Sequence, residues 1–173
     1  MKNIKNLFNI LGFQFSWWSC VLGVKYGWPY FGPCTMVIFL MVHYHFFKFN
    51  QMELTFIIVT GFIGAIIDTI FLKSDLINYY GLTFGSIAPF WIIAMWLGFA
   101  ATINHSLAWI NKRWIIAFIM GAVFGPLSYL AGIKFDALYF DQTLFNLLIL
   151  SLVWGLVIPA LFILNNMIIK TNQ

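Results

Sequence analysis

Residues 55–72 run through eighteen positions in which Asp68 is the one ionisable side chain. About 20 residues of helix cross a bilayer core, and lipid offers no partner to an open backbone group, so a run like this one must be helical. Five more apolar runs, 7–24, 29–47, 87–110, 114–132 and 144–167, join the third at 52–72. Composition decides what they meet. The 173 residues are 62% hydrophobic and only 8% charged, whereas a soluble domain carries about a quarter charged residues. A soluble core of this size would not hide so much apolar side chain. The expected fold is all-α: a polytopic membrane protein, one compact bundle of six transmembrane helices forming a single domain over 1–173.

Local signals refine the spans. Pro29 and Pro33 stand at the start of the second, where proline opens or bends a helix at little cost. Lys2 and Lys5 before an apolar stretch imitate a signal peptide, but Asn9, Gln14, Ser16 and the Trp17-Trp18 pair interrupt it and no small-x-small site follows. A retained first span is expected.

Basic residues set the expected orientation. The amino end, the second and fourth loops and the carboxyl end hold Lys2, Lys5, Lys48, Lys112, Arg113 and Lys170. The other loops hold Lys25, Lys73 and Lys134. Six against three places both termini in the cytoplasm. The net charge of +4 is scattered, without the basic face that nucleic acid requires. Two cysteines without a CxxC spacing exclude zinc-ribbon and thioredoxin-type chemistry. Cys20 and Cys34 fall near the outer face on consecutive spans, so a disulfide is geometrically conceivable, though packing cysteines are commoner.

Small residues recur at helical spacing: Gly12, Ser16 and Cys20; Gly61 and Ala65; Ala94, Gly98 and Thr102; Gly121 and Gly125; Ser151, Gly155 and Pro159. Such stripes let helix backbones approach in lipid. Tryptophans and tyrosines mark the span ends as an interfacial belt, while Trp96 and Trp154 fall deeper, as core.

Polar groups inside a membrane are costly and each needs a partner or a task. Asp68, Ser128 and Tyr129 fall in the outer part, Gln14 nearer the middle, and Asn104 and His105 at the inner end of the fourth span. Asp68 shares a face with Gly61, Gly64 and Ala65, so it points at helices, with Ser128 and Tyr129 opposite and Lys25 or Lys73 within approach. It is read as a structural anchor before a functional group. Asn104 and His105 form either a lipid-phosphate site with Lys112 or Arg113, or interhelical hydrogen bonds, and the second is preferred. His43 and His45 point to nearly opposite helix faces, and three histidines are too few for a membrane di-iron enzyme. No metal, cofactor or catalytic residue is expected: there is no GxSxG, Walker loop or paired catalytic carboxylate.

The stretches "FQFSWW" (13–18), "GFIGAIID" (61–68), "FWIIAMWLGFAATINHSLAW" (90–109) and "GAVFGPLSYLAG" (121–132) resemble the domain of unknown function 2878 family. After the last of these, "IKFDAL" stands where the family pattern has a glycine near Asp136. The resemblance covers about 11–164 and implies a multi-pass bacterial inner-membrane protein without an assigned reaction. Through neighbouring fatty-acyl-modifying enzymes it points toward lipid metabolism. It adds weight to Asp68 and Tyr129 as family-motif positions. The expected function is a non-catalytic scaffold or lipid-binding partner, with membrane lipids and a lipid-modifying enzyme as partners. The alternative is a small transporter or flippase with a polar route through Gln14, Asp68 and His105. An intramembrane enzyme using Asp68 and Tyr129 is the least supported reading.

Overall fold

A computed structural model describes residues 2–48 and 50–170. The side chains of Lys2 and Lys170, which contribute to the charge asymmetry, lie outside those described. The described chain is mostly helical: α1 (Lys2–Lys25), α2 (Phe31–Phe47), α3 (Gln51–Lys73), α4 (Phe90–Ile103), α5 (Trp114–Lys134) and α6 (Leu144–Lys170). Four of these, α1, α3, α5 and α6, are long and apolar enough to cross a membrane. The other two are shorter and also apolar.

The largest departure from the sequence-based spans is in the fourth. Expected over 87–110, it is helical only over Phe90–Ile103, about 21 Å long, and continues as turns and a short 3-10 helix, Ala108–Ile110. Its end is set from outside. Asn9 of α1 donates from Nδ2 to the Ala101 carbonyl at 3.1 Å, and its Oδ1 accepts from the Ser106 N–H at 3.3 Å and the Ser106 hydroxyl at 2.5 Å. A helix leaves its last carbonyls without internal partners. Here one side chain takes up such a carbonyl and the returning chain together, so the helix stops. Two reciprocal amide pairs then tie this region to α6. Asn104 and Asn165 exchange bonds at 3.1 and 2.7 Å, and Asn111 and Asn166 at 3.1 and 2.9 Å.

The helices pair as α1 with α2, α3 with α4, and α5 with α6; α4 also packs on α1 and α2, and α6 on α3. The α5–α6 hairpin has the most extensive contact, and glycine accounts for it. A Cβ on Gly121 would strike the Trp154 carbonyl, and one on Gly125 the Trp154 ring. At the opposite end from Asn9, the loops 74–89 and 135–143 form a two-stranded antiparallel patch, β1 (Asn78–Tyr79) on β2 (Leu138–Tyr139). Hydropathy gives no sign of this small sheet. The cysteines are free, Cys20 buried and Cys34 exposed, so the conceivable disulfide is not formed. Cys20 lies where Gly32 lets α2 close on α1.

Candidate functional site

Asp68 is buried at 1% exposure in the middle of three elements besides its own. The Tyr79 hydroxyl of β1 and the Tyr129 hydroxyl of α5 donate to its Oδ1 at 2.5 and 2.6 Å. The Trp96 indole N–H of α4 donates to Oδ2 at 2.5 Å. A carboxylate held by several donors keeps its charge away from water at a tolerable cost. Burial first, and then the Asp68 charge, hold the Tyr79 hydroxyl well above the usual phenol range, so it remains a donor.

Glycines place these donors. A Cβ on Gly64, one helical turn before Asp68, would overlap the Trp96 indole. Trp96 in turn stacks on Trp154 with ring centroids 4.8 Å apart and planes 9° from parallel. Gly64→Ala is therefore expected to push Trp96 off both partners and to cost about 1–3 kcal/mol as an overpacked core position. Thermal unfolding in detergent checks it: an unchanged midpoint would mean the indole has another place to go.

Of the other residues singled out from the sequence, Ser128 does not reach Asp68; its hydroxyl donates back to the Gly125 carbonyl at 2.7 Å. Neither lysine approaches Asp68. Lys25 instead pairs with Asp136 at 3.2 Å. Gln14 is exposed on α1. Asn104 is spent on Asn165, so the lipid-phosphate alternative loses its amide.

His105 belongs to a second polar cluster at the Asn9 end. Its Nε2 shares a hydrogen with Glu53 Oε1 at 2.6 Å, and His43 Nε2 lies 3.6 Å from the same oxygen. The three donor atoms lie within 4.8 Å of one another, close enough for a shared ion. The hydrogen bonds argue for another use. The Ala101 carbonyl and the Ser106 N–H fix which way the Asn9 amide points, so its Nδ2 is the atom 3.3 Å from His43 Nδ1. That nitrogen must accept, which leaves the His43 proton on Nε2, facing Glu53. A metal needs Nε2 bare. Two histidines sharing one carboxylate, as an interhelical knot, fit better. Neither Glu53 nor Asn9 stands out as a site residue in the sequence. Asn50-x-x-Glu53 is the available signal, since Asn50 caps α3 by accepting from the Glu53 N–H at 3.1 Å and so brings Glu53 into the first turn.

Between the two clusters lies a cavity of about 580 Å³. It exists because α5 packs on α6 without comparable contact to α1 or α4. Its floor is the buried face of α4, with Trp91 and Trp96, and Trp154 of α6 backs it. Its lips are Ile10 and Trp18 on α1 and Phe124 and Leu127 on α5, all exposed, with Gln14 between the first two. Toward β1 and β2 it is lined by Gly132 and Leu138, and Trp18 stands edge-on to Phe135, with centroids 5.0 Å apart. Asp68 and Tyr129 line that end and Ser106 the other, while His105 is outside the lining.

A family model described as "Protein of unknown function (DUF2878)" matches residues 6–160. No curated protein and no solved structure matches the chain.

Proposed function

From the premise that the chain belongs to the DUF2878 family, whose function is unassigned, we propose that it is an integral membrane protein that holds a single lipid chain in the groove between α1 and α5. All six helices cross or enter the bilayer, with both termini cytoplasmic, in a bacterial inner membrane. It serves as a non-catalytic lipid-binding partner in membrane-lipid metabolism and presents the lipid to a lipid-modifying enzyme. The observation that carries this reading is the groove itself. Its volume, about 580 Å³, lies in the usual range of about 300–1,000 Å³ for ligand pockets. Its walls are apolar, and it opens sideways, where a membrane supplies acyl chains. A transporter route through Gln14, Asp68 and His105 has less support, because Gln14 and Asp68 border the groove and His105 does not.

The test uses the groove's tryptophans. Phospholipid with brominated acyl chains, added to the detergent-purified protein, is expected to quench Trp96 and Trp154 saturably, with one lipid bound per chain. Ala131→Phe, on the α5 wall, is expected to abolish that saturable phase. Quenching that never saturates and ignores Ala131→Phe would reflect boundary lipid alone and would overturn the proposal.

A further inference from the structure

Asp68 raises a question of charge. Its three hydrogen bonds come from neutral donors. The ion pairs among the described residues are Lys25 with Asp136 and Glu53 with two histidines; Asp68 is in none of them. Nor does the groove supply a cation, since Asp68 is the one charged side chain in its lining. The donors are also unevenly shared. Oδ1 accepts two hydrogen bonds and Oδ2 only the one from Trp96. A carboxylate offers about four acceptor positions, two on each oxygen, so Oδ2 keeps one.

The surroundings are equally particular. The stacked Trp96–Trp154 pair, Trp91, Trp17, Phe99 and Tyr129 all line the groove. Aromatic faces carry negative potential and attract cations, ammonium groups above all, and the attraction grows when water is excluded. A low-dielectric cleft lined by one sign of charge concentrates the opposite sign.

Resting on the chain-binding reading, we propose that the lipid held in the groove carries an ammonium head group, seated against the indoles near Asp68. Asp68 sits about one helical turn from the end of α3, so a head group there lies near the bilayer interface while its chain runs along the α4 floor. An anionic head group without an amine meets an uncompensated carboxylate at the same place and is disfavoured.

The experiment compares brominated phosphatidylethanolamine with phosphatidylglycerol of identical chains, by tryptophan quenching of the detergent-purified protein. Phosphatidylethanolamine is expected to bind about tenfold tighter, which corresponds to about 1.4 kcal/mol. Trp17→Leu, on the α1 wall, is expected to reduce that ratio, and Asp68→Asn to bring it close to one, with both lipids still bound. The wild-type ratio is decisive by itself, whatever Asp68→Asn does to folding. Equal saturable binding of the two lipids overturns the head-group inference and leaves the chain-binding reading standing. If neither lipid binds saturably, the chain-binding reading falls and takes the inference with it. Competition by free ethanolamine as effective as by the lipid would mean an amine site without a chain and overturns the assignment to a lipid.

Discussion

Asn9→Leu is expected to destabilise the protein by about 3–5 kcal/mol, more than any single apolar truncation on the exposed surface. Asn9 is fully buried and makes four polar contacts: with His43, the Ala101 carbonyl, and the Ser106 N–H and hydroxyl. Leucine fills the space and satisfies none of them. A buried donor or acceptor left without a partner costs about 1–3 kcal/mol, though within membranes single side-chain bonds average nearer 0.6. Some of the four groups will find new partners, so the expectation lies well below their sum. The damage should be local before it is global. With the Ala101 carbonyl and the Ser106 amide released, the end of α4 loses what stops it, and the turn through Ser106 and Leu107 should open. Hydrogen exchange is the direct measurement: amides over 104–110 should exchange faster in Asn9→Leu while those of α5 change little. Uniform acceleration would mean that Asn9 supports the whole bundle and not this junction. An unchanged profile would mean that its hydrogen bonds are replaced.

Asp68→Ala is expected to cost about 2–5 kcal/mol and to uncouple α5 from α3, since it leaves several buried donors without their acceptor. The substitution removes the common acceptor of Tyr79, Tyr129 and Trp96, which come from a loop and two helices. The tyrosine hydroxyls can turn toward each other, but the Trp96 indole is clamped between Gly64 and Trp154 and cannot. Measured separately, Tyr129→Phe removes one bond and should cost about 1 kcal/mol. A double-mutant cycle with Asp68→Ala should then show strong coupling, since Tyr129→Phe has little left to remove once the acceptor is gone. Additive effects would show that the two residues act independently. Van der Waals packing of the α5–α6 hairpin, which does not depend on Asp68, should survive both changes.

The two clusters differ in how far the sequence reveals them. Asp68 stands out because it interrupts an apolar run, and its glycine-lined face points it at neighbouring helices. Tyr129, on an adjoining motif, is indeed one of its partners. Tyr79 and Trp96 cannot be paired with it by sequence alone, because a chain so rich in aromatics gives each a role without Asp68: interfacial belt for one, core for the other. Glu53 and Asn9 are harder still. Each lies near a span end, where a polar residue needs no special reason, and only the fold shows that both are buried. The short α4 has the same origin. Hydropathy continues to Ile110, but helix termination there depends on a side chain from α1, 92 residues away from the carbonyl it caps.

The sequence by itself determined how apolar this chain is, the existence and approximate extent of its helices, and the small-residue faces on which they close. Those properties are local, since hydropathy and glycine spacing are read within a few turns of one helix. The tertiary structure alone decided which polar groups meet. Asp68 collects its donors from 11, 28 and 61 residues away, and such contacts are chosen by how helices pair. It also decided that α5 leans on α6 and leaves a groove toward α1. A groove is a property of the space between elements, and no single helix encodes it.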